Sequence, residues 1–83
     1  MGTIRSAISD NLKQHGLWDD EAAAVMQVVV SAPELDTLEG RWDTDQGAYP
    51  PVIINIAWLV AKRKAVEWID ANKPQHFARS MLA

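Results

Sequence analysis

The chain of 83 residues contains no cysteine. Disulfide bonds, thiolate metal ligands and a cysteine nucleophile are therefore excluded, and such a composition is typical of the reducing cytosol. Glycine and proline are also scarce, with four of each. No segment is rich in serine or glycine, so we expect a single folded domain over residues 1–83.

The sequence also lacks an apolar run long enough to cross a membrane. The most apolar stretch, residues 52–61, has only ten residues, whereas a spanning helix needs about 20. The first residues do not have the apolar core of a signal peptide. We therefore expect a soluble cytoplasmic protein without a membrane partner.

Helix signals divide the first 30 residues into two helices. Thr3 is a suitable N-cap for the first helix, and Gly16 is a suitable stop. Asp19 or Asp20 is expected to cap the second helix, with its body over residues 22–30. Three consecutive β-branched valines at 28–30 also fit a strand, but the upstream alanines favour a helix.

A short third helix is predicted next. Ser31 and Glu34 have the spacing of a capping box, which places Ser31 at the N-cap and the end of the helix near Glu39. Gly40 then stops the helix. Residues 41–50 mix turn-forming residues with two large aromatic side chains and are predicted to form the only long loop.

The longest predicted helix covers residues 51–72, since no glycine or further proline interrupts this segment after Pro51. Residues 76–82 form either a last short helix or an extended tail. The sequence thus predicts an all-α fold, a compact bundle of four to five helices around a long C-terminal helix.

The first half of the long helix is apolar on all sides. Ile53, Ile56 and Val60 align with the charged face of the second half, so something must cover them. Either the first two helices fold over these residues or a second copy of the protein does. The three isoleucine and valine side chains are therefore candidates for an oligomer interface, and a homodimer is one possible state.

Catalytic patterns are absent from the sequence. Neither His15 nor His76 has a hydroxyl or carboxylate at motif spacing. Asp43 and Asp45 followed by Gly47 depart from a calcium loop in the position of the glycine. We therefore predict no catalytic, cofactor-binding or metal-binding residue, and no enzymatic activity.

Charge is distributed unevenly along the chain. Residues 1–50 carry nine carboxylates and three cations, whereas residues 51–83 carry five cations and two carboxylates. The short helices that would have to enter a DNA groove are acidic, so phosphate would repel them. Nucleic acid is therefore not an expected partner, and a small DNA-binding regulator is the third interpretation.

The aromatic residues of the loop offer a protein-binding site. Trp42, near Tyr49, either pins the loop onto the core or stands out as an anchor for a partner. Trp18 is expected to pack against the helix it precedes. The predicted partner-binding residues are Trp42, Asp43, Asp45, Tyr49, Asp19, Asp20 and Glu21.

Three sequence motifs carry a resemblance. The segments GRW at 40–42, GAYPP at 47–51 and EWIDANKP at 67–74 resemble those of small proteins encoded by tailed bacteriophages and prophages, over the chain from about residue 3. The resemblance implies an accessory protein in the cytoplasm of a bacterial host cell. It implies stoichiometric binding to a host or phage protein, with an anti-CRISPR inhibitor as the first interpretation and an oligomeric structural or assembly component as the second.

Overall fold

The computed structural model describes residues 2–38 and 40–82, and this part of the chain is helical without a strand. The all-α prediction is confirmed. The α-helices are α1 (Ile4–Gln14), α2 (Asp19–Val30), α3 (Pro51–Asn72) and α4 (Ala78–Leu82), and 3₁₀ turns cover Pro33–Leu38 and Gln46–Ala48. An isolated antiparallel bridge joins Thr3 to Asp45.

The first helix begins and ends where its local signals predict. The Ser6 amide donates to Thr3 Oγ1 at 3.1 Å, and the Thr3 amide donates to Ser6 Oγ at 2.8 Å. These reciprocal bonds satisfy two backbone donors that the first turn would otherwise leave free. Gly16 has a φ of 107°, a conformation that favours glycine, and ends the turn after the helix.

The second helix starts one residue earlier than an Asp19 cap would place it, and two residues earlier than an Asp20 cap would. Trp18, and neither Asp19 nor Asp20, occupies the N-cap position. The indole ring has no acceptor for the backbone of the first turn, and the Trp18 amide instead donates to the Glu21 carboxylate at 2.8 Å. The valine run at 28–30 remains helical.

The prediction that Ser31 is the N-cap of a third α-helix is wrong. Ser31 ends α2, and its hydroxyl donates back to the carbonyl of Gln27 at 3.1 Å. The segment that follows is a 3₁₀ turn in which Leu35 departs from helical geometry. Glu39, the predicted end of this helix, lies outside the described residues.

The core lies where α3 packs against α1, α2 and α4. Small side chains on α3, Ala57, Ala61 and Ala65, are fully buried and let the neighbouring helices approach closely. They share one cluster with Ile8 of α1 and Val25 of α2. The radius of gyration is 12.1 Å, close to the value of about 12 Å expected for a folded chain of this length.

Within the part of the chain that the structure describes, no helix combines the length and the apolar character needed to cross a membrane.

Candidate functional site

The apolar half of α3 is only partly covered by the rest of the chain. Ile53 and Val60 are half-buried and pack against the core. Ile56 remains 47% exposed, and Val52 and Leu59 on the same face are 56% and 62% exposed. The expectation that α1 and α2 fold over all of this surface is therefore wrong for Ile56, because both helices pack on the alanine side. We call Val52, Ile56 and Leu59 the α3 ridge.

Trp42 belongs to the core and is not available as a surface anchor. Its side chain is only 5% exposed, and its carbonyl accepts the Arg5 amide at 2.9 Å. Of the two interpretations of Trp42, the pinned loop is therefore correct and the exposed anchor is wrong. Tyr49 is half-buried and packs against the same core.

The predicted acidic residues do not form one patch. Arg5 Nε lies 2.8 Å from Asp43, near the start of α1, whereas Lys13 Nζ lies 3.6 Å from Asp19, near its end. These two cations are eight positions apart, which corresponds to about 12 Å along the helix. Asp45 lies with Asp43, and its carboxylate accepts the Gly47 amide at 2.9 Å.

Glu21 was predicted to lie on the acidic surface, but it is buried. Its side chain is only 2% exposed, since it faces the segment after α3. One oxygen accepts the Trp18 amide at 2.8 Å and lies 3.0 Å from His76 Nε2, and the other lies 2.8 Å from Lys73 Nζ. We call Trp18, Glu21, Lys73 and His76 the Glu21 cluster.

The backbone fixes the hydrogen-bonding role of His76 in this cluster. The Ala78 amide lies 3.0 Å from His76 Nδ1, so this nitrogen is the acceptor. The Nε2 atom then carries the hydrogen and donates to Glu21. The imidazole is thus fully bonded in its neutral form and connects α2 to the start of α4.

The pKa values of Glu21 and Lys73 are shifted in opposite directions. Burial raises the pKa of Glu21, but the hydrogen bonds from Lys73, the Trp18 amide and His76 outweigh it and bring the pKa below its ordinary value of 4.5. The hydrogen bond to Glu21 raises the pKa of Lys73 above 10.5, although burial opposes this shift. Both groups are therefore charged at neutral pH.

Trp18 is an exposed aromatic residue that the sequence prediction missed, and Phe77, 61% exposed, is a second. The Trp18 side chain is 69% exposed, with Lys73 Nζ 6.0 Å from the ring centroid. The residue just before the N-cap is the one whose side chain packs onto the first turn of a helix. Because α2 begins at Asp19 and Trp18 is its N-cap, that residue is Leu17, which is buried, and the prediction for Trp18 failed. Three acidic residues directly after Trp18 were the available signal of an exposed position.

The basic run of α3 does not form a free cationic patch. Arg63 forms an ion pair with Glu34, and Lys64 Nζ lies 3.7 Å from Glu34 and 3.8 Å from Glu67. The hydrogen bond from its own backbone amide, together with the two cations, lowers the pKa of Glu34, although burial opposes this shift. Two of the three cations at 62–64 are therefore paired within the molecule.

A cleft of about 320 Å³ lies between α1 and α2. Its polar lining includes Ser6, Ser9 and Gln27. The Ser6 hydroxyl bonds to Thr3, so it serves the start of the helix. Over residues 2–38 and 40–82, no three His, Asp or Glu side chains are placed to hold a metal ion.

No known protein family, curated protein or solved structure matches the chain. The described part of the chain is a small all-α bundle whose exposed large apolar side chains include the α3 ridge and Trp18, together with Val28, Phe77 and Met81.

Proposed function

We propose that this protein acts by stoichiometric binding to another protein, as a phage-encoded inhibitor of a host defence effector of the anti-CRISPR kind. The observation that supports this function is the exposed Trp18 ring on a backbone fixed by the buried Glu21. Tryptophan is enriched among the residues that contribute most to protein–protein binding. The phage origin and the anti-defence role rest on the resemblance of the three sequence motifs.

The surroundings of Trp18 favour a basic partner surface. Asp19 and Asp20 follow the ring directly and are exposed, and Lys73 is occupied by Glu21. An exposed aromatic ring beside carboxylates is suited to an arginine or lysine side chain, through cation–π and ionic contacts together. Such a surface would occupy a basic nucleic-acid channel of an effector.

Fixing Trp18 before binding should also increase affinity. Part of the free energy of association is lost when interface side chains and backbone become ordered. The Trp18 amide is already bonded and one side of its ring already lies under Lys73. Binding through Trp18 therefore requires less ordering of the chain than binding through a flexible loop would.

The test is capture of the partner from the bacterial host by the purified protein and its variants. We expect the wild type to retain one protein at a ratio of one to one, and Trp18→Ala to weaken binding by about tenfold or more. Val28→Ala, which truncates an exposed apolar residue within α2, is the matched control and should bind like the wild type. Equal loss in both variants would contradict the proposal.

The salt dependence of binding tests the charge component. Asp19→Lys with Asp20→Lys should weaken binding more at low than at high ionic strength, because exposed charges are screened by salt. Asp43→Lys with Asp45→Lys makes the same charge change at the opposite end of α1. If the second pair has the larger effect, the contact surface lies around the 41–50 loop instead.

A structural or assembly component is the second candidate function, and the exposed α3 ridge favours it. Such a component would associate into rings or larger assemblies. Light scattering distinguishes the two, since masses of many subunits at micromolar concentration support the assembly role. An inhibitor is expected to remain small.

A further inference from the structure

We propose that a second copy of this chain covers the α3 ridge, forming a dimer with its two-fold axis at Ile56. This inference goes beyond the proposed binding to a partner protein. The sequence predicted an interface of Ile53, Ile56 and Val60. In the structure Ile53 and Val60 are half-buried against the core, so the proposed interface consists of Ile56 with the exposed Val52 and Leu59.

The exposed area fits a small dimer. The three ridge side chains leave on the order of 300 Å² of contiguous apolar surface in contact with water, an amount that marks an interaction site in many monomers. With exposed Asn55 and the half-buried rim, this face of α3 offers on the order of 500 Å². Stable complexes bury about 800 Å² per partner, so we expect a dimer of micromolar affinity.

The shape of the ridge favours another helix over an extended peptide. A helix surface is convex, and two helices pack by placing the side-chain rows of one into the grooves of the other. Rows spaced by four residues, such as Val52 and Ile56, interdigitate when identical rows meet at about −50°. A two-fold pair meets this condition by symmetry, and it closes at two subunits.

The ridge is also self-complementary in length. Val52 and Leu59 lie on either side of Ile56, and the eight residues they enclose extend over about 10 Å. In an antiparallel crossing, Val52 of each copy meets Leu59 of the other, while the two Ile56 side chains meet at the axis. A crossing near −50° keeps helices in contact over about this distance before they diverge.

The distribution of charged residues along α3 favours a neutral partner surface and restricts the contact to the first half of the helix. No residue from 51 to 61 is charged, so a charged partner surface would be desolvated here without an opposite charge. A second copy presents the same neutral surface. A parallel coiled coil along all of α3 would place Glu67 beside Glu67, which like-charge repulsion disfavours.

This dimer leaves the Trp18 surfaces free. Lys73, which lies over the Trp18 ring, follows the last turn of α3, about 30 Å along the helix from Val52. The two copies therefore meet at one end of α3 and present Trp18 at the other. The dimer therefore presents two identical Trp18 surfaces, which allow bivalent binding to a partner with repeated sites.

The mass of the protein tests the dimer directly. Sedimentation equilibrium should show an average mass that rises with concentration from 9.2 kDa toward twice that value. Ile56→Glu should weaken association by about a hundredfold or more, because two unpaired carboxylates would be buried at the axis. Val28→Glu changes an exposed apolar residue on α2 and should associate like the wild type. A constant mass of one chain, or equal weakening by both variants, overturns the proposal.

Cysteine cross-linking gives a second test that preserves the apolar character of the ridge. Because the chain has no cysteine, Ile56→Cys introduces one thiol per copy next to the proposed axis. Under mild oxidation it should form a disulfide-linked dimer much faster than Val28→Cys. Equal rates, or assemblies larger than two, would rule out the closed two-fold pair, and neither result bears on partner binding through Trp18.

Discussion

At the scale of single residues, Glu21 connects distant parts of the chain. Its partners come from positions 18, 73 and 76, so one carboxylate joins the start of α2 to the segment between α3 and α4. A buried carboxylate is stable only when such donors compensate for its loss of hydration. The same bonds hold Trp18 in place, which ties the candidate contact surface to the stability of the fold.

Replacing Glu21 by glutamine should destabilise the protein. We expect Glu21→Gln to lower the free energy of unfolding by about 1–3 kcal/mol, since the amide cannot accept from three donors and removes the charge that pairs with Lys73. Urea unfolding followed by circular dichroism measures the change. Glu34→Gln removes an exposed carboxylate that also has cationic partners, and it should have a much smaller effect. Equal effects would mean that burial of Glu21 contributes nothing.

The pH dependence of stability should carry the signature of Glu21. Its pKa in the folded protein lies below the ordinary 4.5. The stabilisation from the charged Glu21 carboxylate is therefore complete above pH 4.5 and is lost as the pH falls through the folded pKa. The difference in unfolding free energy between the wild type and Glu21→Gln should therefore shrink in acid. Urea unfolding at a series of pH values checks this, and a difference that stays constant would contradict it. Because the pKa of Lys73 is raised, the stabilisation from its charged ammonium group is lost only as the pH rises through this pKa in the alkaline range.

At the scale of elements, α3 is organised by the size of its side chains. From residue 57 to 65 its buried side consists of Ala57, Ala61 and Ala65, whereas the larger apolar residues of this part are exposed or half-buried. Ile69, near the end of the helix, is the one large side chain of α3 that is fully buried. The neighbouring helices need the small side chains to approach α3, so the larger side chains face away from them. This arrangement explains why a helix so rich in apolar residues still exposes a ridge.

Enlarging a residue of the alanine side should therefore disturb the packing. We expect Ala61→Leu to lower the free energy of unfolding by about 1–3 kcal/mol, because the core has no space for three more carbons. Thermal unfolding by circular dichroism measures this effect. Ala71→Leu, at an exposed position on the same helix, should be close to neutral. Tolerance of leucine at 61 would show that the helices are less closely packed than the structure has them.

At the scale of the whole molecule, two tryptophans have opposite roles. Trp42 closes the 41–50 loop onto α1 from within the core, whereas Trp18 faces solvent. The fold thus assigns one ring to stability and leaves the other free for contact. Trp58 and Trp68 of α3 are half-buried and pack against the core.

Alanine substitutions should separate these two roles. Trp42→Ala should lower the free energy of unfolding by about 3–5 kcal/mol, as expected for a large aromatic side chain removed from a core. Trp18→Ala should change it by less than about 1 kcal/mol while weakening partner binding. Urea unfolding of both variants provides the measurement. A severe loss of stability in Trp18→Ala would make its binding defect uninformative and assign Trp18 to the fold.

Much of the architecture was predictable from local signals. The Thr3 cap, Gly16 and the Pro51 start depend on neighbouring residues, and the helices follow them. The predicted contact residues fared less well, because Trp42 and Glu21 proved to be buried. Their burial depends on segments that are distant in sequence, and no local pattern around either residue indicates it.

The sequence alone determined that α1, α2 and α3 are helical, because caps, glycine, proline and side-chain spacing act within a few residues. Only the tertiary structure decided which sides of those helices meet water. The α3 ridge is exposed because the alanine side of the helix allows closer packing, and Trp18 is exposed because its neighbour Leu17 is the residue that packs into the core. Both results come from packing between helices, since the solvent exposure of a residue depends on neighbours far away in the chain.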